Sequence, residues 1–543
     1  MTTSTKTRSR VARAAFVALL MSTTATAALA APKKHRQPAP NAALSAEVKA
    51  LRAEVEALKA SLAAQADAQA QAQPQAQAQQ EKLDTLGQQL ADLKATQDTA
   101  SSDIATLKKP TGSTVVPKLS NGRPTFATAD GNFTAGVKAV VMFDAASYMQ
   151  KDRLPATVTN RDLNDGTNFR RARFGIDGTL FKDFSYGLLY EFGGSGAEEP
   201  GRIQEAFFQY NGLKPFRFRL GAFEPNVGLA AASSTSGIAL MERPSVAEIA
   251  RNVAAGDARS AFQVTATGAL GEGDTSMSTN WFVSTALTGN VVAQANANGG
   301  GGEQQAWLGR VALAPSFPGG LRAHLGANAQ YVFHAADSTG PSAAAGRYPI
   351  QLRDRPELRV DGTRLVDTGA IDTNHASVYG AEAALGYRSF LVEGEYFKFD
   401  FDRRRTGAAV LGDPDFDGWY VQGSWVLTGE QRAYNAGEAR FDAPKPAYNF
   451  NAAAGTWGAW EVAARYSVVN LDWNAGRPGF ATPAGGIRGG EQKITSVGVN
   501  WYLNPTIRMM LNYLHVDVDR LNAAGAQVGQ KYDAVALRTQ LSY

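Results

Sequence analysis

The feature that most constrains this chain is two-residue alternation, repeated from about residue 121 onward. In PFRFRLGAF (215–223), Phe216, Phe218 and Leu220 alternate with Arg217 and Arg219. Successive side chains on a strand point to opposite faces. One face is therefore apolar and the other carries two guanidinium groups. The same texture recurs in VKAVVMF, FSYGLLYEF, WLGRVAL, GWYVQGSWVL, AWEVAARYSVV and VALRTQLSY. Short turns such as FKDF, NGLKP, APSFPGG and LNPT join some of these segments, and longer Gly-, Asp- and Asn-rich loops join others. The pattern predicts about sixteen strands of roughly ten residues, the length a tilted strand needs to cross a bilayer.

Stacked soluble sandwiches and one closed barrel both accommodate such strands. No linker divides the segment, and closure removes the edges that so many strands would otherwise expose. The face opposite the aromatic one is small or polar, with Gly187, Glu382, Gln422, Arg465, Asn500 and Arg538 among its members. At the C-terminus Val535, Leu537, Leu541 and Tyr543 share one apolar face, which resembles the last strand of bacterial outer-membrane barrels. The expected fold is all-β: a sixteen-stranded antiparallel transmembrane barrel over 121–543, lipid outside and water inside, preceded by an N-terminal α-helical coiled coil.

Lys6, Arg8, Arg10 and Arg13 precede an apolar stretch ending in Ala28-Leu29-Ala30, the pattern of a secretory signal peptide over 1–30. Its removal lowers the formal charge from +4 to zero, so the basic balance does not point to nucleic acid. There is no cysteine, which excludes disulfides and thiolate chemistry. A Pro-rich spacer occupies 31–40. Over 41–109 Leu44, Val48, Leu51, Val55, Leu58 and Leu62 are spaced as heptads, and the repeat resumes from Leu83 after a Gln/Ala tract of three heptads. This predicts a coiled-coil stalk, interrupted near Pro74, that could reach the cell wall. Residues 110–120 read as a linker.

An enzyme is not expected, nor is any cofactor. The five histidines have no nucleophile or metal-ligand constellation around them. Asp413–Gly418 begins like a calcium loop, but its twelfth position would be Ser424 rather than Glu, so the signature fails.

NFRRARFGIDG (168–178), GAFEPNVGLAAASSTSGIALMERPSVAEIA (221–250), GWYVQGSWVLTGE (418–430), GAWEVAARYSVVNLD (458–472) and GVNWYLNPTIRMMLNY (498–513) resemble the phosphate-selective porin O and P family. The resemblance implies a homotrimeric outer-membrane porin in contact with lipid and lipopolysaccharide. Its cargo would be small anions: phosphate, pyrophosphate or chloride. It also implies that the third loop folds inward. Arg170 and Arg171 match the family's paired arginines near the constriction, and Arg243 lies in the candidate third loop. Alternation adds Arg173, Arg217 and Arg219 to the expected pathway. It also puts Arg170 on the face opposite Arg171, which requires a rim position or a bulge. The family's lysine cluster does not map: this segment has eight lysines against thirty-one arginines, and its 39 basic residues face 41 acidic ones. The alternatives are a general or sugar-type porin, and a barrel that only anchors a cell-wall tether. The connection at 429–456 is either an elaborated periplasmic turn or a sign that the strand count is off by one hairpin.

Overall fold

The computed structural model describes residues 40–66, 73–107, 114–120, 122–150, 162–193, 201–271, 277–292, 303–336, 349–404 and 412–543. The expected signal peptide and the spacer up to residue 39 lie outside them. The chain divides into two units, 1–110 and 111–543.

In the first unit, α1 (Pro40–Ala66) and α2 (Gln73–Leu107) pack against each other. Val55 and Lys59 of α1 lie beside Leu83, Asp84 and Gly87 of α2. The two helices thus form a hairpin, with Pro74 in the first turn of α2, where a missing N–H costs nothing. Val48, Val55 and Leu83 are buried, whereas Leu51, Leu58, Leu86, Leu90 and Leu93 stay half-buried.

The second unit is a closed antiparallel barrel of sixteen strands. Its first half comprises β1 (Thr134–Gln150), β2 (Gly166–Leu180), β3 (Phe184–Glu191), β4 (Arg202–Tyr210), β5 (Phe216–Phe223), β6 (Arg259–Leu270), β7 (Ser278–Val291) and β8 (Gln305–Phe317). The second half comprises β9 (Leu321–His334), β10 (Ile371–Tyr387), β11 (Phe390–Arg403), β12 (Asp415–Val426), β13 (Ala459–Trp473), β14 (Ile487–Tyr502), β15 (Ile507–Asp519) and β16 (Lys531–Ser542). Each strand pairs with the next, and β16 closes on β1 through partners running from Tyr532↔Gln150 to Ser542↔Val140. Val115–Ser120, in the span read as a linker, is a strand paired with Arg123–Thr128, which in turn pairs with β1.

Period-two burial runs through the strands. On β15 Leu511 and Tyr513 are exposed, while Met510, Asn512 and Leu514 are buried. The outward face is apolar. At the short-turn end it carries an aromatic belt in which Phe390 stacks on Trp425 and Trp460 on Trp501, centroids 5.0 and 5.1 Å apart, as expected at a membrane interface. His515 Nδ1 meets Asp533 Oδ1 on the next strand at 2.8 Å.

The strand count resolves the problem at 429–456. The connection between β12 and β13 does fall at the short-turn end, and it is an elaborated turn. Tyr434–Asn435 and Arg440–Phe441 pair as a small hairpin, and the segment enters the barrel.

Candidate functional site

Among the described residues, three connections reach into the barrel interior. The β5–β6 loop (224–258) is the third on the long-loop side. Leu229–Ala232 forms a single helical turn and Ser245–Ala254 a helix, α3. The β11 carboxylate of Glu395 accepts from the N–H groups of Leu229 and Ala230 at 2.7 and 2.9 Å. Gly228 permits this approach: its φ is 94°, and a Cβ would collide with Glu395 Oε1. Arg259 donates to the carbonyls of Asn252 and Gly256, each at 3.2 Å, at the C-terminal end of α3, where a cation also complements the helix dipole.

The β9–β10 loop contributes the described residues 349–370. Glu357 binds Arg465 Nε at 2.9 Å, Ser467 Oγ at 2.6 Å and the Ser245 N–H at 2.9 Å, tying this loop to both the β5–β6 loop and the wall. From the opposite end the β12–β13 turn rises into the lumen. Arg310 of β8 forks onto Glu382 at 2.8 and 3.0 Å and donates to the carbonyls of Glu438 and Ala439 at 3.0 and 2.7 Å. His324 Nδ1 meets Tyr434 Oη at 3.0 Å. Arg432 donates to Gly237 O at 2.9 Å, so this turn meets the tip of the β5–β6 loop.

Among the described residues the three connections border two cavities. The one toward the long loops holds about 430 Å³. Eleven arginines and five carboxylates line it among the described residues, and no lysine. The one toward the short turns holds about 540 Å³ and is lined by Arg123, Arg440, Lys445, Arg508 and Asp442, among others. Thr235 lines the first cavity, whereas Ser234 and Ser236 line the second. The loop tip between them presents hydroxyl groups to both.

Of the six arginines singled out from the sequence, Arg170, Arg171, Arg173 and Arg243 line the first cavity, and Arg217 and Arg219 line neither. Arg170 is the extra residue of a bulge, because the register jumps from Met142↔Arg171 to Phe143↔Phe169; both guanidiniums therefore turn inward. Arg170 forks onto Glu242 at 2.8 and 3.0 Å, and Arg173 binds Glu191 at 2.6 Å. Arg243 holds the carbonyls of Ala230, Ala231 and Ser233 at 2.9, 3.2 and 3.0 Å, so it braces its own loop. Arg171 is the least satisfied: its Nε has no partner, its Nη1 faces the Met142 thioether at 3.3 Å, and Glu242 stands 3.8 Å away. Arg217 and Arg219 lie nearer the short-turn end. Arg217 reaches Gly437 O and Glu438. Arg219 binds Gln209 at 2.7 Å and lies over Phe207.

The arginines of the β9–β10 loop were missed. Arg353, Arg355, Arg359 and Arg364 all line the first cavity. Their signal was present as four arginines within twelve residues that obey no strand period. Arg359 bridges Glu248 at 2.9 Å and Asp354 at 3.4 Å. Burial, reinforced by Glu248, pushes the Asp354 carboxyl up to about 7 against the pull of Arg359. Burial would also raise Glu242, but Arg170, Arg171, Arg538 and Arg359 outweigh it and hold that carboxyl well below its usual range.

The profile of the family described as phosphate-selective porin O and P matches residues 146–543, the whole barrel apart from the first part of β1. The chain belongs to that family. Porin O of Pseudomonas aeruginosa is 25% identical over 379 residues, 67% of this chain and 79% of that protein. A Caulobacter vibrioides protein is 25% identical over 426 residues, 75% of each chain. Among solved barrels, the anion-selective porin from Comamonas acidovorans aligns over 76% of this chain and all of that one, at 12% identity and a TM-score of 0.41. This family member is thus an outer-membrane porin, with the long β12–β13 turn on the periplasmic side.

Proposed function

We propose that this porin conducts small anions, phosphate and related oxyanions foremost, along its arginine-bearing cavities. The observation that carries the reading is the excess of eleven arginines over five carboxylates around the first cavity, in a barrel with no net positive charge. An entering anion loses part of its hydration, and guanidinium forks and hydroxyl groups replace it. At an effective dielectric near 20, one charge at about 4 Å contributes roughly 4 kcal/mol before desolvation and screening. Arg171, Arg353 and Arg364 are the groups best placed to receive the ion, since no carboxylate lies close enough to fork with them. The hydroxyl-bearing tip Ser234–Ser236 is the step between the two cavities. Arg440, Lys445 and Arg508 then attract the ion toward the periplasm.

The protomers assemble as a homotrimer, and the helices of 41–109 form a periplasmic stalk after removal of the signal peptide. The half-buried leucines of the hairpin support oligomerisation of the stalk, since they would be covered by other copies. Reversal potentials across planar bilayers in a chloride gradient test the reading, together with block of chloride current by added phosphate. The expected results are anion selectivity and phosphate block. A pore with no selectivity at low salt sinks the reading in favour of a general porin.

A further inference from the structure

Four guanidinium groups from distant parts of the chain converge on one carboxylate. Arg170 forks onto Glu242 from β2. Arg538 of β16 donates to Glu242 Oε1 at 2.8 Å while it forks onto Asp144 at 2.7 Å through both Nε and Nη2. Arg171 and Arg359 stand 3.8 and 3.7 Å from Glu242 Oε2. Glu242 itself is buried, and it sits on the inward-folded loop rather than on the wall. Arg170, Arg171 and Arg359 also line the open cavity. The cluster therefore borders the route and is not sealed away from it.

A carboxylate and a phosphate present the same feature to a guanidinium, two oxygens in a plane that accept a fork. Four such groups with no anion among them would repel one another. With a free oxyanion among them they would form a trap, because a conducting site must stay weak enough to release the ion. Glu242 relieves the repulsion and takes the central place. Arg171 is left incompletely paired, which preserves one group able to receive a passing ion.

We propose that Glu242 is a tethered counter-anion that competes with the permeating oxyanion for these guanidiniums and so sets the affinity of the pore for phosphate. The proposal rests on the anion-porin reading and adds a residue of the opposite charge that determines specificity. A purely structural salt bridge makes the contrary forecast: its loss would loosen the cluster and weaken phosphate binding.

The test is phosphate block of chloride current through wild-type, Glu242→Gln and Glu242→Asp pores. The expected result is tighter block by about tenfold in Glu242→Gln, from loss of one nearby negative charge, with slower phosphate passage. Glu242→Asp, which withdraws the carboxylate by one methylene, is expected to tighten block by a smaller factor. Assembled Glu242→Gln pores with unchanged or weakened block overturn the proposal. If that variant yields no folded barrel, Glu242→Asp decides in the same way. A wild-type pore without anion selectivity sinks the anion reading and this proposal with it. An anion-selective wild type whose block neither variant tightens overturns this proposal alone.

Discussion

Residues of one type divide here by what holds them. Arg170, Arg173 and Arg359 sit in ion pairs, Arg243 braces backbone carbonyls, and Arg171 is incompletely paired. Losing an incompletely paired guanidinium strands no carboxylate fork. Arg171→Gln is therefore expected to leave the barrel folded and weaken phosphate block about tenfold, since one charge at the cavity wall is removed; bilayer recordings check this. Asp354 supplies the pH dependence. Its carboxyl titrates at about 7, above its ordinary value, so the folded protein holds this proton between the ordinary value and 7. Stability from this group is present at low pH and falls as pH rises toward 7. Below 7 the cavity wall carries one negative charge fewer. Chloride selectivity is expected to rise on acidification from about pH 8 to about pH 6, and Asp354→Asn should flatten that step. Chloride is the ion to use, because phosphate itself titrates in this range.

At the scale of elements, the β12–β13 turn is the connection that departs furthest from a plain barrel. Its hairpin is held by Arg310, which is fully buried and serves Glu382 and two carbonyls at once. Removing one partner of a buried pair leaves the other uncompensated, at about 3–5 kcal/mol. Arg310→Met is expected to destabilise the barrel by about that amount in urea unfolding from lipid vesicles. It should also raise single-channel conductance, because the turn loses its anchor on the wall. Conductance equal to wild type would mean that the turn's remaining contacts, through Tyr434, Arg432 and Arg217 among others, suffice to hold it. The β9–β10 loop is held differently, through Glu357 on Arg465 and Ser467, so its arginines keep their places independently of that turn.

For the whole molecule, charge placement matters more than charge total. A barrel with near-balanced acids and bases still presents an arginine excess around the first cavity, while some of its acids, Asp400, Asp415 and Asp417 among them, lie on the outer wall. The helical unit and the barrel are separate compact units. Deletion of 41–109 is expected to leave unit conductance and selectivity unchanged within error, as read from single-channel recordings. Cross-linking would then show whether the proposed homotrimer forms and depends on this helical unit. A changed selectivity in the truncated protein would show that the stalk takes part in the pore.

The sequence by itself determined the barrel, because the pleat of a strand is local. Period two assigns Phe216, Phe218 and Leu220 to one face and Arg217 and Arg219 to the other, whatever the strand pairs with. It also determined the alternation of short turns and long loops, and it placed Arg171, Arg173 and Arg538 on the inner wall. Heptad spacing gave the helices by the same local rule, but not their packing against each other. Tertiary structure alone decided the partners. Arg538 and Asp144 are joined only when β16 closes on β1, and Arg170 turns inward only because a bulge shifts its register against β1. The arginines of the β9–β10 loop and the rise of the β12–β13 turn obey no strand period, since loops that fold inward are shaped by what they meet there. Which guanidiniums remain open to an anion therefore depends on contacts between residues hundreds of positions apart, and no local pattern encodes them.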